Sequence, residues 1–139
     1  MLIDITDVVI KQVIGLPTES LKILQKEARQ KGLITFEILE KQWQSGQCRF
    51  DKVGEGLFVV VKNETIIGIG SIQQSPSAPP TSGAGLLQNC YILEKERRKG
   101  YGNKLFRHLV EFAAIEFGQL QINEQCPYWE QLGPVIDLL

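Results

Sequence analysis

Apolar positions along this chain change period several times, and each change marks an element. VVIKQVI, residues 8 to 14, is rich in β-branched side chains and bounded by Gly15 and Pro17, which predicts a first strand after a lead-in. PTESLKILQKEARQKG then moves to a helical period, with Thr18 as the expected N-cap, Leu21, Leu24 and Ala28 on one face and Gly32 as the stop. TFEILEKQWQSG repeats that grammar, with Thr35 as cap, Phe36, Leu39 and Trp43 on the inner face and Gly46 at the end. Between residues 56 and 72, GLFVVVKNETIIGIGSI holds two apolar runs around KNET, the pattern of a hairpin turning near Asn63. Both runs are apolar on successive residues, which predicts a sheet covered on both faces.

QQSPSAPPTSGAG, residues 73 to 85, carries too little apolar material to pack and reads as a surface loop. LLQNCYIL (86 to 93) is the next strand, and ERRKGYG joins it to a helix from about Tyr101 to Phe117. On that helix Leu105, Leu109 and Phe112 form a stripe flanked by Phe106, Val110, Ala113 and Phe117, while Lys104, Arg107, His108 and Glu111 take the other side. QLQI (119 to 122) supplies a short strand back beside its predecessor, so strand, helix and strand form a parallel unit.

Composition narrows the class of protein without naming a chemistry. The 139 residues suit one domain, 1 to 139, with a single core. Fifteen cationic and sixteen anionic side chains nearly cancel, so neither nucleic acid nor a membrane surface is an expected partner, and any basic site is local. Cys48, Cys90 and Cys126 show no paired or zinc-like spacing, which fits a reducing cytoplasm and no metal. The acidic N-terminal stretch does not resemble a signal peptide.

The turn ERRKGYGNKL is where the pattern acquires chemistry. A strand-to-helix turn leaves the first N–H groups of the helix unpaired at its positive end, and phosphate is their natural partner. Gly100 and Gly102 permit close approach, while Arg97, Arg98 and Lys99 add charge at the rim. Three such N–H groups at about 1.5 kcal/mol apiece supply much of the roughly 7 to 8 kcal/mol of a micromolar-range ligand, without a metal. The spacing matches neither a P-loop nor the Rossmann fingerprint, since the third position after Gly102 is Leu105. It does match R-x-x-G-x-G, as Arg97, Gly100 and Gly102.

These residues resemble the signature [QR]-x-x-G-x-[GA] of the GNAT superfamily of N-acetyltransferases, which binds the pyrophosphate of acetyl-CoA. The element order from about residue 8 to 133 is similar to that family, including its small bacterial members, and CPYWEQLGP resembles its FYEKLGF segment. The resemblance implies an α/β fold: a mixed, splayed central sheet with helices on both faces, here with a shortened C-terminal strand region. It implies acetyl-CoA as cosubstrate. The backbone of Ile92 and Leu93 would pair with the pantetheine amides, the turn Arg97, Arg98, Lys99, Gly100, Tyr101, Gly102 and Asn103 would hold the pyrophosphate, and Asn123 resembles a cofactor-contacting asparagine. An extended arm docking on splayed strands acts as an added strand.

The same resemblance implies direct attack of a primary amine on the thioester, with a small-molecule acceptor expected ahead of a protein. A backbone N–H near Tyr91 to Leu93 would polarise the carbonyl. The family's acidic tyrosine aligns with Trp129, whose indole cannot protonate a thiolate, so the resemblance leaves Tyr128 through a shifted register, or water, or a weak activity. Some relatives carry a glutamate on the strand before the signature, but Leu86 to Leu93 holds no carboxylate, leaving Asn89, Cys90 or a water-mediated base. Cys90 lacks a histidine or helix terminus to activate it, and His108 falls on the polar side of its helix. Arg49, Asp51 and Glu55 resemble a stretch near the acceptor cleft of small relatives, and a charged loop entering a strand explains them equally well. A non-catalytic acyl-CoA sensor on the same fold is the rival expectation. PVIDLL can add one short closing strand, whose free edge predicts a homodimer.

Overall fold

The structure is a computed structural model, and it describes residues 8–75, 83–122 and 135–138. The described elements run β1 (Val8–Val13), α1 (Thr18–Gln30), α2 (Thr35–Ser45), β2 (Gly56–Lys62), β3 (Thr65–Gln74), β4 (Ala84–Ile92), a short 3-10 turn (Glu94–Glu96), α3 (Tyr101–Ala114), β5 (Gln119–Ile122) and β6 (Val135–Asp137). The six strands form one mixed sheet in chain order, antiparallel throughout except for the parallel pair β4 and β5. The mixed sheet and the helix, hairpin and crossover order agree with the expectation.

The KNET hairpin closes through a two-residue turn in which Asn63 and Glu64 both have positive φ, 49° and 69°. That backbone twist matches the twist of the flanking strands. Apolar successive residues on β2 and β3 are explained by burial from both sides. Gly70 faces α3, where an added Cβ would lie 2.9 Å from Leu109, and Phe58 beside it packs edge-on against Phe112 at 4.8 Å. On the other face Tyr91 meets Phe36 of α2 at 5.9 Å. Leu21, Leu24, Ala28, Phe36 and Leu39 are buried as the helical spacing requires.

Several local expectations are corrected. Neither predicted threonine caps its helix: Thr18 and Thr35 are first helical residues, after Pro17 and Ile34, and neither helix start has a side-chain cap. Thr35 instead sends its hydroxyl across to Asn89 of β4. Trp43 is half-buried and stacks on Phe50 at 6.4 Å, so it borders the core. The helix predicted to reach Phe117 ends at Ala114, because the N–H groups of Ile115 and Glu116 bond three residues back and tighten the last turn. β3 and β4 extend further than expected, to Gln74 and from Ala84, into the stretch read as a loop. Residues 76–82 of that stretch lie outside the described residues. PVIDLL does supply a strand, β6, antiparallel to β5.

Candidate functional site

β4 and β5 are paired over four residues, Ala84 to Leu87 against Gln119 to Ile122. β4 has nine residues, so it runs five further, from Gln88 to Ile92, before the signature turn. Within that extension lies a bulge. Ser71 pairs with Gln88 and Ile69 with Tyr91, so Gly70 alone opposes Asn89 and Cys90, and Asn89 takes φ 59°. A buried relay of neutral groups fixes it. Thr35 Oγ1 donates to Asn89 Oδ1 at 2.7 Å, Asn89 Nδ2 donates to Ser71 Oγ at 2.9 Å, and Ser71 Oγ donates to the Gln88 carbonyl at 2.9 Å. The side-chain nitrogen of Gln88 is buried there with no hydrogen-bond partner among the described residues, a state that costs about 1 to 3 kcal/mol unless a ligand or water meets it.

Beyond the bulge β4 shows which residues face outward. Leu93 N–H donates to the Ile67 carbonyl at 2.9 Å, and Gly68 opposes Ile92. Tyr91 and Leu93 therefore turn their main-chain groups toward β3, and Ile92 turns its own toward the β5 side. The Leu93 amide is thus committed within the sheet. Ile92 faces the β5 side. Its carbonyl accepts from Arg97 Nε at 3.0 Å, and the Arg97 guanidinium sits 5.2 Å from the centre of the Tyr91 ring.

The turn itself departs from right-handed backbone twice, at Arg98 (φ 65°) and at Gly100 (φ 86°). Such alternations bring successive N–H groups into one concavity. Gly100 is the N-cap of α3, with no side-chain cap and no acidic residue in the first turn. The N–H groups of Tyr101, Gly102 and Asn103 thus point out at the positive helix end, while Lys104 N–H is the first to bond back, to the Gly100 carbonyl at 3.1 Å. A Cβ added at Gly100 or Gly102 would meet no atom of the described residues within 4 Å.

The three cations divide the work unequally. Arg97 is turned back onto β4, as above. Lys99 Nζ bonds Glu96 Oε1 at 3.0 Å, and Lys62 Nζ bonds both Glu96 oxygens at 2.9 Å. Lys62 also lies 5.5 Å from the Tyr101 ring centre. Glu96 is only 6% exposed, and the bond from Lys62, with help from Lys99, holds its carboxyl below the ordinary value despite burial. Arg98 is exposed and makes no ion pair with another described residue. Glu96 is the residue that sequence reasoning missed. Its spacing to Lys99 was visible as an i, i+3 pair, whereas Lys62 stands 34 residues away in the hairpin.

Other candidates fall away from this centre. Glu55 accepts the N–H groups of Gln74 at 2.8 Å and Lys52 at 3.3 Å, and Arg49 Nε donates to the Trp43 carbonyl at 3.1 Å, so both brace the loop entering β2. Glu55 borders a cavity of about 620 Å³, with Cys48, Gln73 and Phe117 in its lining, at the Ala84 end of β4 and so at the far end from the turn. Cys90 is buried, and His108 is exposed with one edge on Phe58 at 5.2 Å. Asn123, Tyr128 and Trp129 lie outside the described residues. Among the described residues no cluster of three metal-ligating side chains occurs, and no helix is long and apolar enough to cross a membrane.

Comparison with known proteins bears on this geometry. The chain is similar over 94% of its length, and 93% of the other's, to a candidate acetyltransferase from Exiguobacterium sp. 255-15, with 20% identity and a TM-score of 0.80. A GNAT family acetyltransferase from Brucella melitensis, solved in complex with acetyl-CoA, matches 94% of this chain and 88% of its own at 16% identity and a TM-score of 0.66. The N-acetylglutamate synthase of Neisseria gonorrhoeae, solved with coenzyme A and N-acetyl-glutamate, matches 91% of this chain with 27% of its own length, at 14% identity and a TM-score of 0.64. At these identities the likeness speaks to the fold. No curated protein sequence matches the chain. The family model described as Acetyltransferase (GNAT) family matches residues 16–123, which span the helices, β2 to β5 and the signature turn, and the chain belongs to that family, whose cosubstrate is acetyl-CoA.

Proposed function

We propose that this single-domain protein transfers the acetyl group of acetyl-CoA to a primary amine of a small molecule by direct attack. The observation that carries the reading is the signature turn, with three N–H groups at the start of α3 that no side chain caps and, among the described residues, no atom near the faces of Gly100 and Gly102. The residues present fit the donor. Tyr101, Gly102 and Asn103 would offer N–H groups to the diphosphate, Arg98, which makes no ion pair with another described residue, would add charge, and Ile92, whose main chain turns toward the β5 side, would meet an amide of the pantetheine arm. Glu96 keeps the turn in shape by bonding Lys99 and Lys62.

In the reaction the amine nitrogen bonds the thioester carbon, the C–S bond breaks and the thiolate leaves with a proton. The chain's part is to orient the thioester along β4 and exclude water between the sheet and α2. β4 carries no carboxylate, so the acceptor must arrive as a neutral amine or lose its proton through water. Tyr128 is the proposed proton donor to the thiolate, and Asn123 a further cofactor contact. The bulge, pinned by Thr35, Asn89 and Ser71, would fix where the acetyl end lies.

Calorimetry with acetyl-CoA, followed by thiol release on incubation with a panel of small amines, tests this reading. Micromolar binding with amine-dependent thiol release is expected. Binding without release from any amine would leave the acyl-CoA sensor reading, which the absent β4 carboxylate favours, and no binding would remove both.

A further inference from the structure

A carboxylate beneath the signature turn works against an anion above it unless cations neutralise it. Glu96 is 6% exposed and is held twice. Lys62 Nζ bonds both of its oxygens at 2.9 Å, and Lys99 Nζ bonds Oε1 at 3.0 Å. The two lysines are not equivalent. Lys62 comes from the end of β2, its side chain is 21% exposed, and its ammonium also lies 5.5 Å from the ring centre of Tyr101, the first residue of α3. It is thus fixed at both ends of the turn. Lys99 belongs to the turn itself, directly before Gly100, and its side chain is 45% exposed. Its bond goes to an oxygen that Lys62 already meets, so it is the lesser tie. A buried carboxylate is costly to strand but needs one well-made pair, and Lys62 supplies that pair without Lys99.

We propose that Lys62 is a positioning residue for the diphosphate, acting through Glu96 to leave Lys99 free to change partners. In the empty protein Lys99 rests on Glu96. With a diphosphate on the amides of Tyr101, Gly102 and Asn103, Lys99 swings from the carboxylate to the ligand and exchanges one charge-assisted bond for another. Glu96 stays neutralised by Lys62 throughout. Without Lys62 the same movement would leave a buried charge unpaired, so Lys99 is retained by the carboxylate and withheld from the ligand. A lysine on the hairpin thereby raises affinity for a ligand that it need not touch.

This inference rests on the reading of the turn as the acetyl-CoA site, and the test separates the two. Coenzyme A binding is measured by calorimetry at physiological ionic strength on the wild type, Lys62→Met, Lys99→Met and the double variant, with ligand-free melting curves alongside. Each single variant is expected to bind roughly three- to tenfold more weakly than the wild type. The double variant is expected to stay within about twofold of Lys99→Met, because with Lys99 gone there is nothing left to release. Glu96→Gln added to Lys62→Met removes the charge that retains Lys99 and is expected to recover most of the lost affinity, a rescue that a merely structural role of Lys62 would not show. An unchanged affinity in Lys62→Met, losses that multiply in the double variant, or no recovery with Glu96→Gln overturns the positioning role, while wild-type binding of coenzyme A leaves the site reading intact. Absence of coenzyme A binding by the wild type overturns both. Should Lys62→Met melt too low to assay, the comparison moves to the Glu96→Gln background: there Lys62→Met is expected to change affinity by less than about twofold, and a loss of roughly three- to tenfold overturns the proposal.

Discussion

Two stretches of the same strand and turn, the bulge at Asn89 and the turn at Arg98, both force a non-glycine residue into left-handed backbone, yet they are built on opposite terms. The bulge is buried, neutral and closed on itself: Thr35, Asn89 and Ser71 satisfy one another in sequence. The turn is exposed, charged and open. Its carboxylate anchor is tucked below, and its amides face outward with no side-chain cap among the described residues. Satisfied strain is a device for fixing geometry, whereas strain beside unmet donors marks a place where binding energy is collected later.

The sharpest way to break the contrast is to close the open side. Gly100→Leu puts a side chain where φ is 86° and into the space before the α3 amides. An exposed turn can relax when empty, so the left-handed cost of about 1 to 2 kcal/mol falls on the bound state and lowers coenzyme A affinity about five- to thirtyfold. Steric intrusion removes the rest, and calorimetry should find no binding while the melting temperature stays near wild type. Attacking the closed side should do the reverse. Asn89→Ala strands Thr35 and Ser71 in the interior and costs about 2 to 4 kcal/mol of stability in chemical denaturation, with ADP binding retained.

Acid probes the anchor between the two. Glu96 titrates below its ordinary value when folded, so it contributes stability that is fully present above pH 4.5 and is lost as pH falls through its lowered folded value. Glu96→Gln should lower the melting temperature by a few degrees at neutral pH and flatten that acid limb, which differential scanning calorimetry across pH 3 to 6 (roughly the range spanning ordinary carboxylate titration) will show. The smallest effect is expected at Gln88. Gln88→Leu removes a buried amide without a partner and should change stability by no more than about 1 kcal/mol, in the stabilising direction, while slowing acetyl transfer if that nitrogen meets the acceptor.

Most of the architecture was legible because period and punctuation carry it. KNET sets the turn, Gly46 ends α2 in the left-handed region, and QLQI is β5 to the residue. The signature turn was legible for the same reason, since its glycines and its place between strand and helix are local. What escaped was every decision made by a distant partner. Thr35 reads as a cap and becomes a cross-link because Asn89, 54 residues on, offers an acceptor. Lys99 reads as a rim cation and is claimed by a buried carboxylate, and Arg97 reads as an anion ligand and is held by a carbonyl and a ring. A bulge likewise leaves no periodic trace in an apolar strand, where one extra residue looks like its neighbours.

The tight reversal at Asn63 and Glu64 reaches further than the hairpin it closes. Because it sets the pairing of Lys62 with Thr65, it also decides which side chain stands at the end of β2 to meet Glu96. A slip of one residue would present Val61 or Asn63 there instead, leaving the sunken carboxylate with Lys99 alone. The shape of the signature turn is thus wired to two residues of a distant hairpin turn, and exchanging them for a longer connection is a means of detuning the proposed acetyl-CoA site without touching its signature.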